Sequence, residues 1–372
     1  MKKKTVRNGI LAGVSLAAIG AGGFSLYMSQ AIAQPKWRSL AEEEEWERAH
    51  GLWGDFSEYE TQKYTAAGWA GYTLHCELIP AAEESRRYVI LSHGFGSNRY
   101  GSVKYVGVYR RLGFNCVIYD LRDHGDNEET ACTIGNYESR DLLALIEDTY
   151  ERYGEDIELG LHGESMGSST SLSVLRFAPD VRFVVADCGF TNLYELIRTG
   201  FGQMGKGALN ASYLTPLVNE TIKLRFGFDM KDTSAVDALQ GNTVPLCLIH
   251  GKADDFITPD NSEKLKAATA GCCELHLIDG AKHAQSREVL GEEAYAQIVA
   301  HFLERCAQGA EEDGNEDAEA APADPEDVTA ASAEETGFTD APADGEAAPA
   351  AEDDSDRELT GDEAAGEAQQ EE

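Results

Sequence analysis

Basic residues are scarce in this sequence. Its 372 residues include 31 lysines and arginines against 66 aspartates and glutamates, a formal net charge of −35 at pH 7. Much of the excess is local, because residues 311–372 hold 24 of the acidic residues and a single basic one. This charge balance argues against binding to nucleic acid through a basic surface.

Long apolar runs are also missing, apart from one near the start of the chain. The mean hydropathy of −0.37 and the hydrophobic fraction of 42% exclude a polytopic membrane protein, and they equally exclude a chain that is disordered throughout. At this length, the sequence predicts either two domains or one large domain with appendages.

Cysteine patterns typical of metal sites or disulfide frameworks are absent as well. The eight cysteines include no CxxC pair and no spacing that suits a zinc site. Cys116 and Cys247 lie inside short apolar runs, where a free thiol behaves as a small hydrophobic group. We therefore predict no metal site and no organic cofactor.

The one long apolar run, at the start of the chain, predicts export. Lys2–Lys4 precede an uncharged stretch in which Ile10–Met28 is 19 residues long, close to the length that spans a bilayer. Ala31–Ala33 offers a signal-peptidase site, so residues 1–34 are either an uncleaved membrane anchor, which we favour, or a signal peptide cleaved near Ala33. Both interpretations place the rest of the chain outside the cytoplasm, because the basic flank holds the N-terminus inside.

The far end of the chain has the composition of a disordered segment. Residues 308–372 consist mainly of Ala, Glu, Asp, Pro and Gly, with a lone Phe338. Such a segment cannot bury enough apolar surface to offset its chain entropy, and its like charges repel. We predict a disordered acidic tail.

Between these ends, residues 35–307 alternate short apolar runs with helical segments. Continuous apolar runs are typical of parallel strands that are covered on both faces. Predicted strands are Tyr72–Ile79, Arg87–Ser92, Asn115–Asp120, Ile157–His162, Val181–Ala186, Val244–His250 and Glu274–Ile278. Predicted helices are Tyr105–Leu112, Ser139–Tyr153, Ser165–Phe177, Asp260–Ala270 and Arg287–Cys306. This repetition predicts an α/β domain with a mostly parallel sheet, and the long interval at about 190–240 predicts an inserted helical cap.

The most informative motif is Gly163-Glu164-Ser165-Met166-Gly167, which matches G-x-S-x-G. It directly follows an apolar strand and opens a helix, the strand-turn-helix context that this motif requires. The sequence therefore predicts that Ser165 is a nucleophile held on a strained turn.

A serine nucleophile needs a base and an orienting acid. His283 follows the last predicted strand, and Asp254 follows the strand before it. The order Ser165, Asp254, His283 is that of α/β-hydrolase triads, with each residue at the C-terminal end of a strand. His93, His162 and His250, which also lie at strand ends, are interpreted as structural, and His124 is interpreted as a loop residue near the site.

The turn after the strand Arg87–Ser92 supplies the remaining element of an acyl-transfer site. It reads Ser92-His93-Gly94-Phe95-Gly96-Ser97-Asn98 and can present a backbone amide to the nucleophile. We predict that the backbone N–H groups of Phe95 and Met166 form the oxyanion hole.

Five motifs together resemble bacterial α/β-hydrolases of the serine aminopeptidase-like and monoglyceride-lipase-like branch, a group related to the catalytic domains of prolyl oligopeptidases. They are SHGFGSN, DLRDHG, GESMG, HGKADDFITP and GAKHA, in the expected order over roughly residues 60–305. The resemblance implies the α/β-hydrolase fold and the triad, while esterases, lipases and peptidases share it. Asp123 departs from the group, many members of which have Gly in an R-G-H-G loop.

We therefore predict a serine hydrolase that cleaves carboxylic esters of the carboxylesterase or lipase type, acting on a small-molecule substrate. Peptide substrates are the main alternative, with an aminopeptidase or oligopeptidase using the same triad. None of the motifs contains an acidic cluster assignable to an amino terminus, which favours esters. A non-catalytic binding protein on this scaffold is the second alternative, and the complete triad argues against it.

Overall fold

The apolar runs of the chain form one eight-stranded sheet. A computed structural model describes the backbone of residues 19–203 and 211–316. The strands are β1 (Gln62–Ala67), β2 (Thr73–Ile79), β3 (Arg87–Ser92), β4 (Asn115–Tyr119), β5 (Glu158–Glu164), β6 (Phe183–Asp187), β7 (Leu246–Gly251) and β8 (Cys273–Ile278).

The order of the strands in the sheet is β1-β2-β4-β3-β5-β6-β7-β8. Strands β1 and β2 run antiparallel to their neighbours, whereas β4, β3, β5, β6, β7 and β8 are all parallel. The mostly parallel sheet predicted from the apolar runs is confirmed. Strand β1 was not predicted, because its sequence QKYTAA is polar and mostly exposed at the sheet edge.

Eleven helices surround the sheet in the described part of the chain. They are α1 (residues 19–33), α2 (Leu40–Ala49), α3 (Val103–Arg111), α4 (Asn136–Tyr153), α5 (Met166–Ser173), α6 (Leu193–Gln203), α7 (Thr215–Phe226), α8 (Ala235–Ala238), α9 (Asp260–Ala268), α10 (Ser286–Leu290) and α11 (Glu292–Glu316). Helices α6, α7 and α8 lie in the segment predicted to be a cap.

The core consists of two hydrophobic layers, one on each face of the sheet. Val89 and Leu91 of β3 point into a layer shared with α3 and α11, while Ile90 between them points into a layer shared with α4, α5 and α9. Successive side chains of a strand face opposite sides of the sheet. The continuous apolar runs therefore reflect burial on both faces, as the α/β-hydrolase prediction requires.

The end of the domain differs from the predicted helix Arg287–Cys306. Gly291 adopts φ +78° and ends α10, so that α11 begins as a separate helix at Glu292. The backbone of α11 continues to Glu316, past the predicted domain boundary at residue 307. Residues 317–372 of the predicted tail lie outside the described residues.

The described part of the N-terminal segment is a helix that packs against the domain. Ile32 and Ala33 are buried in the core, and Phe24 and Met28 pack against it. Arg225 of α7 donates hydrogen bonds to the Leu26 carbonyl oxygen at 3.0 Å and to Ser29 Oγ at 2.7 Å. The second half of the predicted anchor is thus in contact with protein.

Residues 1–18, which include the first half of the predicted anchor, lie outside the described residues. Within 19–203 and 211–316, no helix combines the length and the apolar character needed to span a membrane.

Candidate active site

Ser165 occupies a sharp turn between strand β5 and helix α5. Its backbone has φ +54° and ψ −113°, and its N–H donates to the carbonyl oxygen of Asp187 at 2.9 Å. A Cβ at Gly163 would overlap the backbone of Gly167, and a Cβ at Gly167 would overlap the backbone of Ser92. The motif needs glycine at both positions because the backbone passes close on either side of the serine.

The structure brings the three predicted triad residues into one hydrogen-bonded chain. Ser165 Oγ lies 2.9 Å from His283 Nε2, and His283 Nδ1 lies 2.7 Å from Asp254 Oδ2. His283 follows β8 and Asp254 follows β7, so adjacent parallel strands carry both to the edge of the sheet where Ser165 lies. This is the geometry in which a serine hydroxyl can pass its proton to an imidazole.

Asp254 is built to remain ionised, whereas its neighbour Asp255 faces solvent. The Oδ1 atom of Asp254 accepts the N–H groups of Phe256 at 3.0 Å and of Ile257 at 2.9 Å. Burial opposes ionisation of Asp254, but hydrogen bonds from His250 and His283 outweigh it and hold the pKa of Asp254 well below its usual range. His250, interpreted as structural, therefore contacts Asp254, with 3.3 Å between His250 Nε2 and Asp254 Oδ2.

The loop that carries the predicted oxyanion amide lies directly beside Ser165. A Cβ placed on Gly94 would be 3.7 Å from the Cβ of Ser165. Phe95 follows Gly94 in this loop, and Met166 is the first residue of α5. Both predicted amides are thus on backbone adjacent to Ser165.

His124, predicted to lie near the site, forms a hydrogen bond with this loop. Its ring is buried, and its centroid lies 3.9 Å from that of the Trp37 ring at a tilt of 30°. His124 Nε2 accepts the N–H of Gly96 at 3.4 Å. Burial lowers the pKa of His124 to about 4, so the imidazole is neutral and its Nδ1–H donates to the Arg122 carbonyl oxygen at 2.8 Å.

Asp123 stands where many members of the similar group have glycine. It adopts φ +69°, the left-handed region that favours glycine. Its carboxylate accepts the Trp37 Nε1–H and the Thr130 N–H, both at 2.6 Å. These two hydrogen bonds hold the loop in shape despite the departure.

The cavity at Ser165 is acidic, which motif reasoning missed. Its volume is about 350 Å³, and it is lined by Ser165, His283 and four carboxylates against two cations. The carboxylates belong to Glu43, Glu47, Glu164 and Glu288, and the cations to Arg38 and Lys104. Of these four acids, only Glu164 lies in one of the sequence motifs. Helix α2, which carries Glu43 and Glu47, has no motif, and only its packing beside Ser97 reveals it.

The aromatic residues of the cap do not line this cavity. Phe190, Phe201 and Phe228 are buried in the core, and Tyr213 is 76% exposed. Residues 200–205 read GFGQMG and match G-x-G-x-x-G, a pattern found in nucleotide-binding turns. Gly200 and Gly202 lie within helix α6, a context unlike the turn after a strand that nucleotide binding needs. The remainder of that match, including Met204 and Gly205, lies outside the described residues.

One group of described side chains has ligand atoms close enough to share a metal ion. The ligand atoms of Cys188, Asp254 and His283 lie within 4.8 Å of one another. Burial raises the pKa of the Cys188 thiol well above its usual range, which opposes the thiolate that a metal prefers. Asp254 and His283 are already bonded to each other, so this arrangement suits a triad better than a metal centre.

Comparison with known proteins gives a family and several relatives. A sequence model described as the prolyl oligopeptidase family matches residues 102–310. The uncharacterized protein YqkD of Bacillus subtilis (strain 168) is 26% identical over 269 residues, which are 72% of this chain and 87% of that protein. The uncharacterized protein YfhR of Escherichia coli O157:H7 is 24% identical over 260 residues, 66% of this chain and 80% of that protein.

Solved structures show the same fold. The esterase Pf2001 of Pyrococcus furiosus superposes with a TM-score of 0.53 at 23% identity, over 68% of this chain and 95% of that one. A puromycin hydrolase superposes with a TM-score of 0.50 at 20% identity, over 66% of this chain and 39% of that larger one.

Proposed function

This chain belongs to the prolyl oligopeptidase family, and from that membership we propose that it is a serine hydrolase that cleaves carboxylic esters through an acyl-enzyme on Ser165. The family and the fold support serine hydrolase activity. The observation that carries the proposal for these residues is the contact of 2.9 Å between Ser165 Oγ and His283 Nε2, with Asp254 bonded to the other ring nitrogen.

In the proposed reaction, Ser165 Oγ attacks the ester carbonyl while His283 Nε2 accepts the hydroxyl proton. Asp254 holds the imidazole in the tautomer that leaves Nε2 free and stabilises the imidazolium that forms. The backbone N–H groups of Phe95 and Met166 donate to the oxyanion of the tetrahedral intermediate. His283 then protonates the leaving alcohol, and a water activated by the same imidazole releases the acid.

A fluorophosphonate probe tests the nucleophile directly, because it phosphonylates only an activated serine. The full chain should be labelled on Ser165, and Ser165→Ala should not be labelled. If the folded wild-type chain stays unlabelled, the alternative of a non-catalytic binding protein on this scaffold is correct.

Peptide hydrolysis with the same residues is the second candidate, because the family description itself names oligopeptidases. A panel of simple esters and of matched peptide amides separates the two. Esters are intrinsically more reactive than amides, so a peptidase cleaves both, and our proposal requires turnover of the esters with no measurable turnover of the matched amides. Measurable cleavage of the peptide amides would make the chain a peptidase.

We also propose an extracytoplasmic location for this enzyme, with the N-terminal segment retained. Retention is supported by Ala33, which is fully buried and whose carbonyl oxygen accepts the Cys132 N–H at 2.8 Å. Intact-mass measurement of the protein from its natural host tests this, with a chain beginning after Ala33 as the opposing result. If carbonate washing released the protein from membranes, the membrane anchor would be contradicted, but the retention of the segment would not.

The proposed organisation keeps three parts, namely residues 1–34, a hydrolase domain from residue 35 to about 307 with a cap at about 190–240, and an acidic tail. Limited proteolysis with mass spectrometry would test the tail boundary, which we expect after the described end of α11 at Glu316.

A further inference from the structure

Trp37, in the segment between helices α1 and α2, packs on the loop that carries the predicted oxyanion amide. Its indole ring meets the ring of Phe95 edge to face, with 4.9 Å between the ring centroids. Phe95 is the residue whose backbone N–H is proposed to bind the oxyanion. Trp37 itself does not line the cavity at Ser165, and it lies before residues 102–310, so the family match assigns it no role.

Trp37 also packs on the imidazole that holds the next residue of this loop. The ring of His124 lies 3.9 Å from that of Trp37, and His124 Nε2 accepts the Gly96 N–H. Burial lowers the pKa of His124 to about 4, so Nε2 keeps the lone pair that the Gly96 amide needs. Trp37 therefore acts on the loop twice, through Phe95 directly and through His124.

The position of Trp37 is fixed by Asp123. The Trp37 Nε1–H donates to Asp123 Oδ2 at 2.6 Å, and Asp123 Oδ1 accepts the Thr130 N–H. Asp123 adopts φ +69°, a conformation that costs less free energy for glycine than for any other residue. Many members of the similar group have glycine at this position, and glycine has no side chain that could accept the indole N–H. The hydrogen bond to Trp37 gives a reason for the aspartate.

The two residues after Trp37 hold the other end of the loop. Asn98 Nδ2 donates to the carbonyl oxygens of Arg38 at 3.3 Å and of Ser39 at 3.2 Å. An oxyanion hole is effective only when its donors are already aimed at the oxyanion, because reorientation during the reaction would cost free energy. Residues 37–39 thus restrain the loop from outside the cavity.

We propose that Trp37 is a positioning residue, which holds the backbone N–H of Phe95 in the geometry of the oxyanion hole. It acts through its ring contacts with Phe95 and His124 and through its hydrogen bond to Asp123. This inference rests on the proposed function, because it concerns the oxyanion hole of the same serine. Loss of such a residue should destabilise the tetrahedral intermediate and leave substrate binding nearly unchanged.

The first experiment compares Trp37→Ala with Trp69→Ala in the full chain, at a temperature where thermal melts show both to be folded. Trp37→Ala should lower kcat on a neutral ester by on the order of 10 to 10², less than the complete loss of an oxyanion donor costs. KM should change by less than about threefold. The affinity for phenylboronic acid, which forms a tetrahedral adduct with an active serine, should fall by the same factor as kcat.

Trp69→Ala is the matched control for this experiment. Trp69 is also partly exposed, but its ring lies 4.9 Å from that of Tyr137 and contacts neither Phe95 nor His124. Its replacement should leave kcat and the boronic acid affinity within about twofold of the wild type, as a substitution away from the site does.

A second pair of variants applies even if Trp37→Ala does not fold. Asp123→Gly relieves the strain at φ +69° and removes the acceptor of the indole N–H, whereas Trp37→Phe keeps an aromatic ring and removes the donor. Each should lower kcat and boronic acid affinity together, by about threefold to tenfold, the worth of one hydrogen bond. The double variant should lose no more than the larger single loss, because both changes remove the same interaction.

Unchanged kcat and boronic acid affinity in the folded variants would overturn the positioning role, even if the melting temperature falls. Losses confined to KM, or losses that multiply in the double variant, would overturn it as well. Fluorophosphonate labelling separates these results from failure of the proposed function. A wild type that is labelled and active upholds the serine hydrolase whatever the variants do, whereas a wild type that is neither would overturn the proposed function and this inference together.

Discussion

Ser165 shows how a single residue can be both strained and chemically useful. A non-glycine residue at φ +54° is sterically unfavourable, and such residues persist where the surrounding structure enforces them. Here the N–H bond to Asp187 and the close glycine backbones on both sides provide that enforcement. The strain keeps the hydroxyl at the end of β5, within reach of His283.

The first prediction concerns this nucleophile. Ser165→Ala should fold normally and lose ester hydrolysis by on the order of 10⁴ to 10⁶ in kcat, as the loss of a triad member does. The measurement is steady-state kinetics on a neutral ester, with circular dichroism as the control for folding. Half the wild-type rate in the folded variant would exclude Ser165 as the nucleophile.

The second prediction separates two adjacent carboxylates. Asp254→Asn should lower kcat by about 10⁴, because the imidazole would lose the partner that sets its tautomer. Asp255→Asn should cost less than about tenfold, since Asp255 faces solvent. Kinetics of the two variants side by side give the answer, and the reverse order would move the orienting acid by one residue.

The third prediction concerns the pH dependence of stability. The folded state raises the pKa of Glu47 to about 8 from an unfolded value near 4.5. Between these values the folded chain holds a proton that the unfolded chain has lost, so Glu47 destabilises the fold increasingly as pH rises from about 4.5 to 8. Glu47→Gln should therefore gain Tm relative to the wild type at pH 8, by on the order of 10 °C, and gain little at pH 5.

Thermal melts of both proteins across that pH range provide the measurement. Glu45→Gln should follow the wild-type curve at every pH, because Glu45 lies at the surface. A gain for Glu47→Gln that is the same at pH 5 and pH 8 would show that ionisation of Glu47 is not the cause.

At the scale of elements, helices α1 and α2 make contacts with the domain that the sequence motifs did not predict. Both precede the sheet in sequence, yet α1 packs on cap helix α7 and α2 forms a wall of the cavity at Ser165. Ser39 caps α2, with its hydroxyl and the Glu42 side chain forming a reciprocal capping box. The N-terminal segment thus contributes both stability and the acidic character of the site.

The fourth prediction tests whether α1 is part of the fold. Ile32 is 5% exposed within the core, so Ile32→Ala should cost about 2–4 kcal/mol and lower Tm by several degrees in the full chain. Ile19→Ala is the matched control, because Ile19 on the same helix is 72% exposed and its replacement should be nearly neutral. Equal melting temperatures for the two variants would show that α1 does not dock in solution.

At the scale of the whole molecule, charge is distributed very unevenly. The acidic tail carries most of the net charge of −35, while the domain holds several buried ion pairs. Arg122 and Asp141, for example, form a bidentate pair at 2.7 and 2.8 Å beneath the Asp123 loop. Such pairs fix loop geometry near the site, whereas the charges of the tail act on solubility.

The fifth prediction follows from the composition of the tail. Deletion of residues 317–372 should leave kcat/KM on a neutral ester within about twofold, because such a segment makes few contacts with a folded site. Steady-state kinetics and a thermal melt of the truncated chain test this. A fall in Tm of more than about 5 °C would show that the tail docks on the domain.

The sequence by itself determined the features that depend on local pattern. Runs such as RYVILS and PLCLIH specify strands buried on both faces, and the glycines around Ser165 specify a tight strand-to-helix turn. The chain order of Ser165, Asp254 and His283, each after a strand, was enough to predict that they meet, because parallel strands end at one edge of a sheet. The structure places them in contact, while their catalytic roles stay a prediction.

Tertiary structure alone decided which surfaces line the site. Glu43 and Glu47 lie in a run of charged residues that carries no motif, and nothing local indicates that they are buried beside Ser165. The pairing of edge strand β1 and the docking of helix α1 could not be predicted either, because both depend on the element that each one packs against. Contacts between residues distant in sequence depend on how whole faces fit together, and that fit made the cavity at Ser165 acidic.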